Sequence, residues 1–286
     1  MTLKTIFTTI SQQLQAIYEK NEAESIAFLL IEFLYTSTRT DVVAAKEVAS
    51  FDPAILQTYL ASLLTHAPIQ YVLGKAHFYG YEFNVNKYTL IPRSETEELV
   101  HLIIQENKGK KGLTILDIGT GTGCIPITLC LHLINPTIYA LDVDANTLAV
   151  AKQNAENLHA SITWIETDIL NTQPKFDTKV DIIVSNPPYV RELEKAFMQP
   201  NVLHYEPAKA LFVSNENPLL FYERIATFAK ENLCNGGRLY LEINQYLGND
   251  TKKLLEDKGF SAIQVLKDLN NNDRMCACTL VLFDEK

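Results

Sequence analysis

The sequence predicts an α/β protein in which a seven-stranded, Rossmann-like sheet follows a small helical bundle and a β-hairpin. Three observations predict this fold. Up to about Thr65, apolar residues recur at helix spacing without the alternation of strands. The stretch HFYGYEFNVNKYTLIP, residues 77–92, is aromatic and β-branched with interruptions at Gly80 and Asn86, as in a hairpin. From Leu113 onward, short apolar strands alternate with helical patterns, which indicates a parallel sheet covered by helices.

The order of these elements predicts three parts. We assign residues 1–75 to a helical N-terminal domain, 76–93 to a β-hairpin linker and 94–286 to the main α/β domain. Asp52 followed by Pro53 predicts the start of the last helix of the bundle. The carboxylate caps the helix, and proline lacks an N–H that would be unpaired at that position.

Composition and charge narrow the function classes. The 286 residues include 34 acidic and 25 basic side chains, a net charge of −9, so the chain lacks the positive charge of a protein that coats nucleic acid. The most apolar early run, SIAFLLIEFLY, is too short to cross a membrane and contains Glu32, and no signal peptide is recognised before it. We therefore expect a cytoplasmic protein that does not associate with a membrane.

The cysteines show no pattern of a redox or metal site. The sequence contains five of them without a C-x-x-C pair, and two near the end are spaced to share one face of a strand. We interpret all five as reduced thiols in the core: Cys124, Cys130, Cys234, Cys276 and Cys278.

A glycine-rich turn, Asp117-Ile118-Gly119-Thr120-Gly121-Thr122-Gly123, follows the first buried strand of the main domain. Glycines allow the backbone to pass close to a ligand, and the next helix presents unpaired N–H groups to it. A dinucleotide-binding fingerprint would have a further glycine where Cys124 stands, so pyrophosphate binding is disfavoured. The alternative is a glycine turn that only permits tight packing.

Acidic residues follow the next two strands. Asp142 ends the second strand, about twenty residues beyond the turn, where a carboxylate can accept both hydroxyls of a ribose. Asp144 competes for that role, but a helix begins at Ala145 and Asp144 is more economically its N-cap. Asp168, after the third strand, either accepts from an adenine amino group or is a solvated loop acid.

The motif Asn186-Pro187-Pro188-Tyr189 follows the apolar strand VDIIVS, at the sheet edge where ligands of α/β sheets bind. These residue types suit a site that holds an NH2 group, such as that of an amide. An amide nitrogen is a poor nucleophile, so the site must promote its reaction mainly by orienting it. The Asn186 oxygen and the Pro187 carbonyl can each accept one N–H of an NH2 group, leaving the nitrogen lone pair aimed at an incoming methyl group. The prolines stiffen the loop, and Tyr189 offers an aromatic wall. The alternative is a surface turn.

These motifs resemble the methyltransferases that use S-adenosylmethionine to modify amino and amide nitrogens. The stretch PIQYVLGKAHFYGYEFNVNKYTLIPRSETEELV, and NPPYV followed by HYEPAKALF, resemble the HemK/PrmC family of release factor glutamine methyltransferases, from about Pro68 to Arg274. The resemblance implies a class I methyltransferase domain, a helical domain that binds the release factor, and methylation of the glutamine of a Gly-Gly-Gln loop on its side-chain nitrogen.

The resemblance also implies roles for particular residues. It assigns the turn of Gly119, Thr120, Gly121, Thr122 and Gly123 to the methionine part of S-adenosylmethionine, Asp142 to the ribose, and Asp168 and Ile169 to the adenine. Asn186, Pro187, Pro188 and Tyr189 become the glutamine site, with Asn186, Pro187 and Tyr189 as catalytic residues and Asn186 also near the cofactor.

The chain departs from the family pattern at two positions. Ser94 stands where the family usually has proline, which we interpret as tolerated drift. Ile169 replaces a frequent aromatic residue, so that shape filling must take the place of stacking on adenine. Arg93 and Glu95 are expected either to approach the site or to form a structural ion pair. His204 we interpret as incidental.

Direct displacement on a positively charged leaving group requires neither a metal nor a covalent intermediate, and we predict neither. One alternative is an adenine-N6 or cytosine-N4 nucleic acid methyltransferase, which would use the same tetrapeptide on a flipped base. Three features of this chain disfavour that alternative: its net negative charge, the lack of an obvious inserted recognition domain, and the linker sequence. A non-catalytic cofactor-binding subunit is the other alternative.

We expect a monomer, since no long heptad pattern requires a partner.

Overall fold

The computed structural model describes residues 1–172, 174–176 and 178–282. Residues 283–286, at the end of the predicted main domain, lie outside the described residues. The contacts divide the chain into two compact units, one of residues 1–75 and 199–205 and the other of residues 76–198 and 206–286. Within the described residues no helix is long and apolar enough to span a bilayer.

The described residues form the following α-helices and strands, in chain order, with two short 3-10 helices at Glu192–Phe197 and Ala208–Ala210. The helices are α1 (Leu3–Leu14), α2 (Lys20–Tyr35), α3 (Arg39–Val43), α4 (Pro53–Leu63), α5 (Ile69–Leu73), α6 (Ser94–Glu106), α7 (Cys124–His132), α8 (Ala145–Asn157), α9 (Pro200–Tyr205), α10 (Leu220–Asn232) and α11 (Gly248–Asp257). The strands are β1 (Lys75–Phe78), β2 (Tyr81–Asn84), β3 (Thr114–Ile118), β4 (Thr137–Asp142), β5 (Thr163–Glu166), β6 (Val180–Ser185), β7 (Val190–Arg191), β8 (Phe212–Val213), β9 (Leu233–Glu242), β10 (Phe260–Lys267) and β11 (Asp273–Leu280).

The first unit is a helical bundle around an apolar core, as its periodicity predicts. Ile6, Ile10 and Leu30 are among its fully buried side chains. The predicted cap at Asp52 is confirmed, since its carboxylate accepts from the backbone N–H of Ala54 at 2.8 Å. That helix, α4, is not the last of the bundle: the short α5 follows it and ends at Leu73, with Gly74 as its C-cap at a φ of 71°.

The segment 199–205 joins the first unit although it lies far along the chain. Its helix α9 ends at Tyr205, whose hydroxyl donates to the Thr65 carbonyl oxygen at 2.8 Å. The adjoining residue Glu206 belongs to the second unit. The HYEPAKALF stretch therefore contributes to both units.

The hairpin of β1 and β2 belongs to the second unit from Ala76 onward, and its contacts explain why. Phe78 and Phe83 pack edge to face within the core that covers one side of the sheet. The buried Asn154 of α8 binds both backbone groups of Asn84, accepting from the N–H at 2.7 Å and donating to the carbonyl at 3.0 Å. These bonds hold the hairpin against α8.

In the part of the chain that the structure describes, the main sheet has seven strands in the order β10-β11-β9-β6-β3-β4-β5, which confirms the predicted α/β fold. β11 runs antiparallel to both of its neighbours, and the pairings of β9, β6, β3, β4 and β5 are all parallel. From β3 the chain moves outward through β4 and β5 and then returns to β6 on the other side of β3. This reversal opens a crevice at the carboxyl ends of the central strands.

Apolar cores cover both faces of the sheet, and the cysteines are only partly within them. Cys124, Cys276 and Cys278 are buried, and the last two share one face of β11 as predicted. Cys130 and Cys234 are half-buried, so the expectation of five core thiols is wrong for these two. All five are free thiols.

Candidate active site

A pocket of about 250 Å³ lies at the carboxyl ends of β3, β4 and β6. It brings together most of the residues that the sequence singles out: Gly119, Thr120, Gly121, Thr122, Asp142, Asp168, Ile169, Asn186, Pro187 and Pro188. Gly123 and Tyr189 do not line it. The parallel sheet produces this assembly, because all of these residues follow the carboxyl ends of neighbouring strands.

The glycine turn has a backbone that other residues adopt poorly. Gly119, Gly121 and Gly123 have φ values of 75°, 57° and 79°. A Cβ on Gly119 or Gly121 would point into open space, so these two positions expose backbone. A Cβ on Gly123 would lie 3.0 Å from Ile127 and 3.3 Å from Trp164, so that glycine serves packing as well. The packing interpretation therefore applies to Gly123, whereas Gly119 and Gly121 have the open space that the ligand-binding interpretation requires.

Asp142 is built into the turn, and Asp144 is not. The carboxylate of Asp142 accepts from the N–H of Gly121 at 3.0 Å and from that of Asp144 at 3.2 Å. Burial raises its pKa, against the lowering effect of these two bonds. Asp144 caps α8 by accepting from the N–H of Asn146 at 2.7 Å, which confirms the predicted cap. It also pairs with Lys209, whose hydrogen bond lowers its pKa.

Asp117, at the end of β3, is a buried acid that the sequence analysis left without a role. It is fully buried, and neither carboxylate oxygen has a hydrogen-bond partner among the described residues. Burial raises its pKa from the ordinary 3.8 to about 7, with a small further rise from Asp142 and an opposing effect of the nearby Thr120 hydroxyl, which falls short of hydrogen-bond geometry. A cation in the pocket would stabilise its ionised form.

Asp168 and Ile169 lie side by side in the loop after β5. The Asp168 carboxylate accepts from the N–H of Leu170 at 2.9 Å and from the side-chain amide of Asn171 at 2.6 Å. Its oxygens thus order their own loop, so it is not simply a solvated acid. Ile169 is buried and contributes apolar surface to the pocket wall.

Two buried side chains, Thr96 and Glu242, hold the Asn186 amide through successive hydrogen bonds. Its amide nitrogen Nδ2 donates to Thr96 Oγ1 at 3.1 Å, and Thr96 Oγ1 donates to Glu242 Oε2 at 2.6 Å. Thr96 and Glu242 are 2% and 1% exposed. Burial raises the pKa of Glu242, against the lowering effect of its hydroxyl donors and of Arg274. Pro187, the next residue of the motif, is buried.

Tyr189 faces away from the pocket. Its hydroxyl donates to Glu242 Oε1 at 2.9 Å, and Arg274 Nη1 approaches that hydroxyl at 3.4 Å. Burial and then the charge of Glu242 raise the Tyr189 pKa well above its ordinary value. The residue lines a second cavity of about 420 Å³, together with Asn244, which donates to the Tyr189 carbonyl at 3.0 Å.

Arg93, at the end of the predicted linker, lines the pocket. It forms an ion pair, but not with Glu95, the partner considered from the sequence. Arg93 Nη2 donates to Glu206 Oε1 at 2.5 Å, and Glu206 Oε2 accepts from the N–H of Ile91 at 3.0 Å. Glu95 instead accepts from the Ser94 hydroxyl at 3.0 Å. Of the two interpretations, the Arg93–Glu95 ion pair is therefore wrong, whereas Arg93 does line the pocket and Glu95 does not. His204 is exposed.

Sequence reasoning missed four side chains around the site: Asp117, Thr96, Glu206 and Glu242. Glu242 carried a usable signal, since it is an acidic residue at the carboxyl end of a parallel strand, β9. Thr96 carried none, because threonine in a helix is ordinary. Among the residues that the structure describes, no group of three or more His, Cys, Asp or Glu side chains is arranged to hold a metal ion.

Comparison with known proteins gives the family. Residues 96–211 match the family model for the Methyltransferase small domain. A release factor glutamine methyltransferase of Flavobacterium psychrophilum is 46% identical over 96% of this chain and 98% of that protein. The chain belongs to the release factor glutamine methyltransferase family. Members from Bacteroides thetaiotaomicron, 41% identical over 93% and 96% of the two chains, and Bacillus subtilis, 35% identical over 96% and 98%, are similar as well.

Solved structures support the same methyltransferase fold for this member of the release factor glutamine methyltransferase family. A methyltransferase from Pyrococcus furiosus, 16% identical, covers 80% of this chain and 100% of its own with a TM-score of 0.52. A T. thermophilus 16S rRNA methyltransferase in complex with AdoMet and guanosine, 19% identical, covers 72% of this chain and 49% of its own with a TM-score of 0.50. At these identities the likeness concerns the fold alone, and with the family it confirms that the chain is a methyltransferase.

Proposed function

We propose that this protein transfers a methyl group from S-adenosylmethionine to the side-chain amide nitrogen of the glutamine in the Gly-Gly-Gln motif of peptide chain release factors. The observation that carries the proposal is the pocket in which Asn186, Pro187 and Pro188 meet the glycine turn and Asp142. The relatives that match nearly the whole chain are release factor glutamine methyltransferases, which supports this substrate.

The chemistry of the turn fits S-adenosylmethionine, a ligand that carries positive charge. The buried carboxylate of Asp117, two residues before the turn, has no hydrogen-bond partner among the described residues, and Asp142 lines the pocket. Gly119 and Gly121 expose backbone to the same space. We assign Gly119–Gly123 to the methionine part, Asp142 to the ribose, and Asp168 with Ile169 to the adenine. Ile169 would pack against the adenine by shape, as its apolar side chain allows.

The Asn186-Pro187-Pro188 segment would orient the substrate amide. The Asn186 oxygen and the Pro187 carbonyl each accept one N–H, which leaves the nitrogen lone pair pointing out of the amide plane. Bound S-adenosylmethionine supplies a methyl carbon made electrophilic by the adjacent sulfonium. Proline has no N–H, so neither ring nitrogen of the loop competes for these acceptors. The nitrogen loses its proton after the new bond forms, so no strong base is required.

Tyr189 contributes to this site in a way that differs from the sequence interpretation. The hydrogen bond from its hydroxyl to Glu242 and its position in the second cavity support a role in holding the loop. An aromatic wall against the glutamine remains the alternative role of its ring.

The helical first unit is the part that we assign to release factor recognition, as the family resemblance implies. We also propose that the protein acts as a monomer in the cytoplasm, where translation termination takes place. Sedimentation at micromolar concentration measures the oligomeric state, and a stable dimer would overturn the monomer.

Mass spectrometry of a purified release factor incubated with this protein and S-adenosylmethionine tests the function. Wild type should add one methyl group to the Gly-Gly-Gln peptide, and Asn186→Ala should lose on the order of a thousandfold in rate, as when an enzyme loses a transition-state hydrogen-bonding group. Asn249→Ala, an exposed position on α11, is the matched control and should keep the wild-type rate. Methylation of DNA or ribosomal RNA instead of the factor would sink the proposal.

A further inference from the structure

A chain of buried hydrogen bonds runs from the pocket into the core of the second unit. It begins at Asn186 Nδ2, passes through Thr96 Oγ1 and ends on Glu242 Oε2, with donor–acceptor distances of 3.1 and 2.6 Å. The other oxygen of Glu242 accepts from the Tyr189 hydroxyl at 2.9 Å. Three elements far apart in sequence, α6, β9 and the loop after β6, therefore meet at one carboxylate.

The direction of these bonds follows from the donor capacity of each group. An ionised carboxylate only accepts, and a threonine hydroxyl has one proton to donate. Because Thr96 donates that proton to Glu242, its oxygen can only accept from Asn186. Asn186 must then turn its NH2 group inward, which leaves its oxygen Oδ1 for a ligand of the pocket that Asn186 lines.

A buried carboxylate is costly to keep unless it is compensated. Two hydroxyl donors, Thr96 and Tyr189, satisfy Glu242, and the guanidinium of Arg274 on β11 approaches Tyr189 at 3.4 Å. Such an arrangement sets the direction of the neighbouring bonds, whereas a neutral amide of the same shape would not.

We propose that Glu242 is a positioning residue for methyl transfer: through the Thr96 hydroxyl it fixes the Asn186 amide with its oxygen toward the pocket, ready to accept an N–H of the substrate amide. The inference rests on the proposed function and deepens it. A substrate that presents an NH2 group needs an acceptor at this point, and a flipped Asn186 would present a donor instead.

Glu242→Gln tests the inference because it keeps the shape and changes only the direction of the bonds. The glutamine NH2 group can donate to Thr96, which frees the threonine proton for Asn186 and allows the amide to flip. We expect kcat on the release factor to fall roughly tenfold to a hundredfold, the effect of one hydrogen bond to a charged group. KM for the release factor and the Kd for S-adenosylmethionine should stay within about twofold, since the walls of the pocket are intact.

Variants of Thr96 provide the matched controls. Thr96→Val removes the hydroxyl at nearly constant volume and should lower kcat as Glu242→Gln does, whereas Thr96→Ser should restore the rate lost in Thr96→Val. The double variant Thr96→Val with Glu242→Gln should be no slower than the slower single variant, because both act through one bond to Asn186.

Three outcomes would overturn the inference. The first is a wild-type kcat in Glu242→Gln, and the second is a double variant whose fold-losses in kcat are the product of those of the single variants. The third is a rise in KM and a fall in thermal stability large enough to account for the lower activity. Thermal unfolding of each variant separates misfolding from mispositioning, and Thr96→Val repeats the test if Glu242→Gln fails to fold. Wild-type protein that leaves the release factor unmethylated would refute the proposed function itself, which is a distinguishable result.

Discussion

The two sides of the pocket are built in different ways. The turn wall, Gly119–Gly123 with Asp142, is shaped by backbone, and the bond from Gly121 to Asp142 joins residues 21 positions apart. The amide wall consists of Asn186–Pro188 and Thr96 at the pocket, together with Tyr189 and Glu242, which support it without lining the pocket. It is held by side chains, through bonds that join residues 90 and 146 positions apart. The shape of the wall that we assign to the cofactor can therefore be read from a local motif, whereas the support of the Asn186 amide depends on contacts between residues far apart in the chain.

The largest effect is expected at Asp117, behind the turn wall. Its folded pKa of about 7 lies above the ordinary 3.8, so its contribution to stability is fully present below the unfolded pKa and is lost as the pH rises through about 7. Asp117→Asn removes this titration. The upper limit of the effect is about 4 kcal/mol, from about 1.4 kcal/mol per pKa unit.

Urea unfolding of wild type and Asp117→Asn, measured between about pH 5 and about pH 8, checks this expectation. The stability of the wild type relative to the variant should fall as the pH rises. Parallel pH dependences of the two proteins would show that Asp117 does not titrate in this range and would contradict a folded pKa near 7.

Within the turn wall, Gly123→Ala should cost about 3 kcal/mol of folding stability, combining a left-handed backbone with overpacking. Gly121→Ala is the control, because its Cβ would point into open space and only the backbone strain, about 1 kcal/mol, applies. Denaturant unfolding of both variants gives the difference. Equal losses would mean that Ile127 and Trp164 yield to the added methyl group.

The next effect concerns the cofactor. Asp142→Asn should weaken S-adenosylmethionine binding by roughly tenfold to a hundredfold, because a neutral amide replaces an ionised acceptor. Asp144→Asn should leave the affinity within about twofold, since asparagine caps a helix as well as aspartate does. Isothermal titration calorimetry measures both constants. A larger loss at Asp144 than at Asp142 would reverse the assignment of the ribose ligand.

The smallest effect is expected at Tyr189 in the amide wall. Tyr189→Phe removes one of the two hydroxyl donors to Glu242 and should lower kcat roughly tenfold, the low end for a hydrogen bond to a charged group. Tyr189→Leu removes the ring as well. Equal kcat values for the two variants would show that the hydroxyl is the important group. A much lower kcat in Tyr189→Leu would support the interpretation of the ring as an aromatic wall against the glutamine.

Local features of the fold and site were predictable because they depend on neighbours in sequence. The caps at Asp52 and Asp144 are carboxylates that bind backbone N–H groups two or three residues ahead. The strand count followed from periodicity, and the meeting of the motifs followed from the geometry of parallel sheets. The antiparallel direction of β11 and the short helix α5 carried no comparable signal.

Partners distant in sequence were beyond prediction. Arg93 had an acidic neighbour two positions away in Glu95, yet it pairs with Glu206, 113 positions further along the chain. Tyr189 belongs to a motif that faces the pocket, yet its hydroxyl binds Glu242 inside the core. In both cases burial selected the acceptor, and burial is a property of the folded chain.

The sequence by itself determined the fold class, the family and the backbone of the turn wall, because periodicity, capping and glycine act over a few residues. Only the tertiary structure decided how the Asn186 amide is oriented. That orientation depends on where the Thr96 proton goes, and the proton goes to Glu242 because folding buries that carboxylate beside it.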